Sequence, residues 1–151
     1  MKLFYIYDAD DIEGSYGLFD NREAAEFVCE RIGKLADSPA IKEFDTDVNS
    51  ENDMYYFIIN SSVGCIEDEC YISKESAIDC CDQYGISPYE IHGHKINSIY
   101  SGGNDSVDEN GEIIKPDEED IEYSFYNLAL EMKEKGIKFS YADQDYAEGG
   151  W

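Results

Sequence analysis

Two histidines and a glutamate offer the first candidate chemistry in this sequence. His92 and His94 are separated by one residue, and Glu90 precedes them at the same spacing. Side chains two residues apart lie on one face of a β-strand, so these three could approach a metal ion together. Zinc usually takes four ligands, and no further ligand is evident nearby. We therefore interpret the stretch as a strand and expect no metal or other cofactor.

A calcium-binding loop is the second candidate. The segment SVDENGEIIKPD, residues 106–117, places Asp108, Asn110 and Gly111 at positions typical of an EF-hand loop. A serine replaces the first carboxylate, an aspartate replaces the bidentate glutamate, and Pro116 falls inside the loop. Asn-Gly is also a strong signal for a tight hairpin turn. We favour the hairpin turn over the calcium site.

The five cysteines do not follow the spacing of a metal site or a disulfide framework. Their number is odd, two are adjacent, and no CxxC pair occurs. We expect reduced and mostly buried thiols. Phosphate-binding loops, GxSxG and GxGxxG motifs are absent as well, so the sequence predicts no enzyme. The cysteines are Cys29, Cys65, Cys70, Cys80 and Cys81.

The acidic residues are the most unusual feature of the composition. The chain has 35 Asp and Glu against 11 Lys and Arg, a formal charge of −24. Residues 1–50, 51–100 and 101–151 carry −7, −7 and −10, so the excess is not confined to a tail. Helix capping and the helix dipole explain the acids of one helix start near residue 117. They do not explain the density of acidic residues over positions 105–122. We predict that this segment binds a partner through Asp105, Asp108, Glu109, Glu112, Asp117, Glu118, Glu119, Asp120 and Glu122.

This charge limits the possible partners. Nucleic-acid phosphates and anionic membranes would be repelled, so we predict no direct binding to either. A basic nucleic-acid-binding protein fits better. The N-terminus has only a short apolar run, Leu3 to Tyr7, before acidic residues, and no window is long and apolar enough to cross a bilayer. We expect a cytoplasmic protein.

An internal repeat predicts the elements that carry these residues. Residues 4–33 align without gaps on residues 56–85, and each copy reads as strand, strand, helix. Asp20 or Asn21 and Ser73 are suitable N-caps, and Gly33 and Gly85 suit the helix ends. A third strand follows in each copy, where residues 38–50 match residues 87–98. The predicted fold is α+β, with tandem strand-strand-helix-strand modules and small antiparallel sheets.

The remaining sequence predicts a divergent third unit. We expect a hairpin over residues 99–114, a long acidic helix over residues 117–135 and a final strand over residues 137–141. Gly136 would end the helix. The predicted units are therefore residues 1–50, 51–98 and 99–151.

Small size, extreme acidity on a folded body, modular α+β repeats and the lack of a catalytic signature resemble DNA-mimic inhibitors, such as phage antirestriction and anti-CRISPR proteins. Twenty-four charges equal those on ~41 Å of duplex DNA, and a compact chain of this length is ~38 Å across. The resemblance implies a Cas or restriction nuclease as the partner. Two alternatives stay open: an immunity protein that neutralises a basic toxin, and a small acidic enzyme or ligand-binding protein.

Overall fold

The computed structural model describes residues 1–12, 14–32, 38–47, 53–100, 109, 114–115, 125–141 and 145–149. Two successive units of strand, strand, helix, strand precede a C-terminal region that adds further strands and one helix. In chain order the elements are β1 (Lys2–Asp8), β2 (Ser15–Phe19), α1 (Arg22–Ile32), β3 (Pro39–Asp45), β4 (Met54–Asn60), β5 (Cys65–Tyr71), α2 (Lys74–Tyr84), β6 (Tyr89–Lys95), β7 (Ser98–Ile99), α3 (Phe125–Lys135), β8 (Ser140–Tyr141) and β9 (Asp145–Gly149).

Each unit contributes three antiparallel strands to a sheet of its own. The first sheet has the order β3-β1-β2-β7-β8, and the second has the order β5-β4-β6-β9. We call β1, β2, α1 and β3 the first module, and β4, β5, α2 and β6 the second module. All described strand pairs are antiparallel except β7 with β8. The predicted α+β class with tandem modules and small antiparallel sheets is confirmed.

The two modules correspond closely in their first strands and in their helices. β1 and β4, like α1 and α2, differ by 52 in residue number, which is the offset of the predicted repeat. Beyond the helix the predicted alignment is wrong by one residue. It matched Glu43 with His92, whereas the strand pairing matches Glu43 with Gly93. In the corrected register His94 occupies the position that Phe44 holds in the first module. A slip of one residue exchanges the two faces of a strand, so this correction decides which side chains point into the core.

The two sheets pack face to face, and helices cover their outer faces. On the outer face of the first sheet, Val28 and Ile32 of α1 pack with Met132 of α3. On the outer face of the second sheet, Ala77 of α2 packs with Ile58. Alternate residues of β1 and β4 thus enter different cores, which explains why both strands are apolar throughout. The cluster between the sheets consists of Leu3, Tyr5, Leu18, Phe44, Tyr55, Phe57, Ile59 and Ile66.

Four of the predicted capping positions agree with the described helix ends, and Gly33 lies outside the described residues. The Ser73 hydroxyl and the Asn21 side-chain oxygen each accept a hydrogen bond from the backbone N–H three residues further on. This contact identifies Asn21, rather than Asp20, as the N-cap of α1. Gly85 and Gly136 follow α2 and α3 with φ angles of 70° and 82°, where a side chain would be strained.

The C-terminal region contributes strands to both sheets. β7 and β8 extend the first sheet, and β9 pairs with β6 in the second. The predicted hairpin and the predicted helix start at residue 117 fall mostly outside the described residues. The final strand, predicted over residues 137–141, is shorter in the structure, where only Ser140–Tyr141 is a strand. The Ile137 N–H bonds to the Met132 carbonyl behind α3, so Ile137 does not join the strand. The division into units at residues 50 and 98 stays a prediction.

All five cysteines are described, and none forms a disulfide. The prediction of mostly buried thiols is wrong, because only Cys81 is fully buried. Its counterpart in the repeat, Cys29, is half-buried, and Cys65 is exposed at the start of β5. Cys70 and Cys80 are half-buried as well.

Candidate functional site

One of the nine residues predicted to bind a partner is described by the structure. Glu109 is exposed in a turn. The interface predicted for residues 105–122 therefore stays a prediction, and the described acidic surface belongs to other elements. Outside the described residues lie Asp105, Asp108, Glu112, Asp117, Glu118, Glu119, Asp120 and Glu122.

Helix α1 carries a row of three exposed carboxylates, Glu23, Glu26 and Glu30, which we call the α1 row. Spacings of three and four residues place them on one side of the helix, with a rise of about 4.5 to 6 Å between neighbours. The opposite side of α1 is buried against the first sheet. Packing of that side holds the row on the surface at a fixed spacing.

Helix α2 carries an equivalent row. Glu75, Asp79 and Asp82 are exposed on the side that faces away from the second sheet, and we call them the α2 row. Two of the positions coincide in the repeat, since Glu75 corresponds to Glu23 and Asp82 to Glu30. The two modules therefore present similar acidic patterns on opposite outer faces of the protein.

Three consecutive acidic residues, Glu67, Asp68 and Glu69, occupy an irregular part of the edge strand β5. The strand pairing there makes all three oppose the single Ile58 of β4. Bulges and charges on an edge strand hinder pairing with other strands, which gives this triplet a structural role of its own. Together with the exposed Tyr84 it lines an open groove of about 440 Å³.

A larger open groove, of about 610 Å³, runs beside the α1 row. Ala24 and Phe27 supply apolar surface between the carboxylates, and Lys135 and Lys138 line it from the segment at the end of α3. A lysine or arginine of a partner could place its aliphatic stem on this apolar surface and its charge near the α1 row. The groove thus combines the negative charge of the α1 row with apolar surface that a partner could contact.

Five described Lys and Arg side chains form ion pairs with carboxylates. These pairs involve mainly acids outside the two helix rows. Within the described residues, no ion pair reaches the α2 row, and only Arg31 approaches the α1 row, at 3.8 Å from Glu30. The α2 row thus has no ion pair among the described residues, whereas the α1 row has Arg31 beside Glu30 and two lysines, Lys135 and Lys138, in the adjacent groove. The pairs are Lys2–Glu43, Arg22–Glu43, Arg31–Glu131, Lys42–Asp68 and Lys74–Asp145.

A second candidate site is a buried group of polar side chains between the two sheets. The Ser15 hydroxyl oxygen lies 3.2 Å from Nδ1 of His92 and 2.9 Å from Nε2 of His94. Nε2 of His92 lies 3.2 Å from Oε1 of Glu90. The predicted common face of Glu90, His92 and His94 is confirmed, and it points inward. We call these four residues the inter-sheet polar cluster.

A β-bulge places Ser15 in the cluster. Ile6 pairs with Gly17, but the next residue, Tyr7, pairs with Ser15. Tyr16 is therefore an extra residue in β2, and the bulge directs Ser15 toward the second sheet. The sequence analysis missed Ser15, because nothing in its local sequence marks the bulge. The α1 row and the α2 row, in contrast, can be identified in the sequence from their three- and four-residue spacings.

The cluster has the residue types of a nucleophile, a general base and an orienting acid. Ser15 is only 4% exposed and His92 only 1%, however, so a substrate cannot reach the hydroxyl in this conformation. Burial, with a smaller effect of His92, lowers the pKa of His94 to about 3. The arrangement is suited to hydrogen bonds in which neutral histidines share protons with their neighbours. It is not suited to hydrolysis, because a substrate does not reach Ser15.

Metal binding receives no support from the geometry. Among the described side chains, no group of three or more His, Cys, Asp or Glu could hold a metal ion. The candidate calcium loop, residues 106–117, lies outside the described residues except for Glu109, Ile114 and Lys115.

Comparisons of the chain with protein-family models, curated proteins and solved structures find no match. None of the helices in the described part is both long and apolar enough to span a membrane.

Proposed function

We propose that this protein is an acidic inhibitor that mimics DNA and occupies the nucleic-acid-binding channel of a defence nuclease, of the Cas or restriction kind. The observation that supports this proposal most directly is the pair of acidic rows at corresponding positions of α1 and α2. Both helices begin with a side-chain cap and pack on a sheet, so the carboxylates are held in place before binding. A preorganised surface loses less conformational entropy when a partner binds.

The arrangement of the rows favours a channel over a flat basic surface. Each row places a carboxylate about every 5 Å along its helix, compared with one charge per ~3.4 Å along a DNA strand. The helices lie on opposite outer faces, beyond two sheets that pack about 10 Å apart. A flat surface would contact one row at a time, whereas a channel that surrounds a duplex would contact both.

Two matched variants test the proposal. One replaces Glu23, Glu26 and Glu30 by Gln, and the other replaces Glu75 by Gln with Asp79 and Asp82 by Asn. Each removes three charges from one face. An exposed charge pair contributes about 0.2 to 1 kcal/mol, so we expect the inhibition constant against a susceptible nuclease to rise roughly tenfold for each variant at low salt. The melting temperature should remain unchanged or increase.

The predicted C-terminal interface is tested in the same assay. A sixfold variant replaces six of the nine acids of that segment by their amides and leaves Asp105 unchanged, as well as Asp117 and Asp120, so that the start of the predicted helix is preserved. A loss of inhibition in this variant alone would place the interface in residues 105–122. Its substitutions are at Asp108, Glu109, Glu112, Glu118, Glu119 and Glu122.

Competition with duplex DNA separates mimicry from the alternatives. A mimic and DNA exclude each other from the channel, so added duplex should raise the apparent inhibition constant. An immunity protein would bind its basic toxin at a surface that DNA need not share. Unchanged inhibition at saturating DNA would therefore reject the mimic and favour the immunity protein.

A further inference from the structure

The inter-sheet polar cluster connects the two modules. Ser15 belongs to the first module, whereas Glu90, His92 and His94 belong to the second. The hydrogen bonds of Ser15 to the two histidines therefore cross from one sheet to the other. Among the described residues, the rest of the inter-sheet core is a buried cluster of aliphatic and aromatic side chains.

One assignment of the imidazole protons satisfies all of these hydrogen bonds while both histidines stay neutral. A proton on Nε2 of His92 is donated to the Glu90 carboxylate, which leaves Nδ1 of His92 as an acceptor. The Ser15 hydroxyl donates to that Nδ1 and accepts from Nε2–H of His94. Both histidines are then neutral, and both carry their proton on Nε2. The Tyr5 hydroxyl, 3.4 Å from Nδ1 of His92, supplements the Ser15 bond.

An additional proton on either histidine disrupts this pattern of hydrogen bonds. On His92 it would occupy Nδ1, so the Ser15 hydroxyl could no longer donate to that nitrogen. On His94 it would place a positive charge at a position that is only 2% exposed, beside a second imidazole. Module separation would hydrate both rings, so protonation and separation favour each other.

We infer that the inter-sheet polar cluster is a proton-sensitive lock, which holds the two modules together while both histidines are neutral and weakens as they take up protons. The lock is independent of the proposed function. Within the part of the chain that the structure describes, the titratable groups that surround the histidines are Tyr5 and Tyr7 of β1, Tyr55 of β4, Glu90 of β6, Tyr100 after β7, and Tyr146 and Glu148 of β9.

Imidazole nitrogen shifts of protein labelled with ¹⁵N-histidine test the hydrogen-bond order directly. At pH 7 we expect two neutral rings, each protonated at Nε2. A charged ring, or a proton on Nδ1 of His92, would overturn the lock. This measurement uses the unaltered protein and does not depend on the folding of any variant.

Unfolding in urea at pH 7.0 and pH 5.5 tests the effect on the module junction. The pKa of His94 is about 3 in the folded protein and about 6.5 when unfolded. Stability is therefore complete above pH 6.5 and decreases as the pH falls, and one such group raises the unfolding constant roughly eightfold between these two pH values. The ordinary pKa values of Asp and Glu side chains, near 4, lie below this window.

The variant His94→Phe provides the control, because the first module has Phe44 at the corresponding position. It should lose the eightfold change between the two pH values, whatever its absolute stability. An eightfold change that persists in this variant would show that the pH response arises elsewhere and would overturn the inference.

Discussion

The ammonium group of Lys74 lies 2.9 Å from Oδ1 of Asp145, and the Tyr56 hydroxyl donates to Oδ2 of the same carboxylate at 2.9 Å. Lys74 begins α2, Tyr56 belongs to β4, and Asp145 begins the edge strand β9. Although 71 residues separate Lys74 from Asp145, their contact joins the C-terminal strand to the second module. One partly exposed aspartate thus anchors a strand that local sequence did not predict.

Replacement of Asp145 by Asn tests this anchor. Burial alone would raise the pKa of Asp145, but hydrogen bonds from Lys74 and Tyr56 outweigh it and lower the pKa. The stabilisation is therefore present above the usual carboxyl pKa near 3.9 and is lost as the pH falls below it. Because both partners are about one third exposed, we expect a loss of only about 1 kcal/mol in urea unfolding at pH 7.

The matched control is Asp79→Asn, which removes an exposed carboxylate from the α2 row without an ion pair among the described residues. It should leave the free energy of unfolding unchanged or slightly increased. Equal losses in both variants would contradict the anchoring role of Asp145.

Gly93, between the two histidines of β6, should not tolerate a larger residue. A Cβ atom at this position would lie 2.5 Å from Cε1 of Tyr56, on the face toward α2. Gly93→Ala should therefore cost about 1–3 kcal/mol through overpacking. In thermal or urea unfolding, Gly93→Ala should cost less when it is added to the variant Tyr56→Leu than when it is made in the unaltered protein, and equal costs would show that the ring is not the obstacle.

The two N-caps should contribute similarly, because the modules are equivalent at these positions. Ser73→Ala and Asn21→Ala each remove an acceptor for a backbone N–H, at 3.2 and 3.0 Å. We expect each substitution to cost about 1 kcal/mol in urea unfolding. Ser76→Ala is the control, since the capping bond uses the backbone N–H of Ser76; a loss as large as that of Ser73→Ala would argue against capping.

The cysteines should differ strongly in reactivity. Burial, with the neighbouring Cys80, raises the pKa of Cys81 to about 11, so its thiolate is scarce at pH 8. Cys65 is exposed and should react first with a thiol reagent under native conditions. Mass spectrometry of partially labelled protein should show Cys81 modified last. Early modification of Cys81 would contradict its packing between α2 and the second sheet.

The isolated protein should bind neither DNA nor RNA at physiological salt. Its charge of −24 repels a polyanion, and the screening length of about 8 Å under these conditions does not remove the repulsion at contact. A gel-shift titration checks this expectation. A clear shift would be incompatible with mimicry, because a decoy must leave nucleic acid free.

Local sequence determined the elements of both modules. Alternating apolar residues identify strands, three- and four-residue spacing identifies helices, and Asn21, Ser73 and Gly85 mark helix ends. Each of these signals is carried by residues that lie within a few positions of one another in the sequence. For the same reason the common face of Glu90 and the two histidines followed from their spacing alone.

Tertiary structure decided how distant segments meet. Ser15 lies 77 and 79 residues from the histidines that it contacts, and only the bulge in β2 directs it toward them. Asp8 is the last residue of β1 and is buried, because its carboxylate accepts from the N–H groups of Asp10 and Ser38. Strand register, bulges and the addition of β9 to the second sheet depend on packing between segments far apart in sequence, which local patterns do not encode.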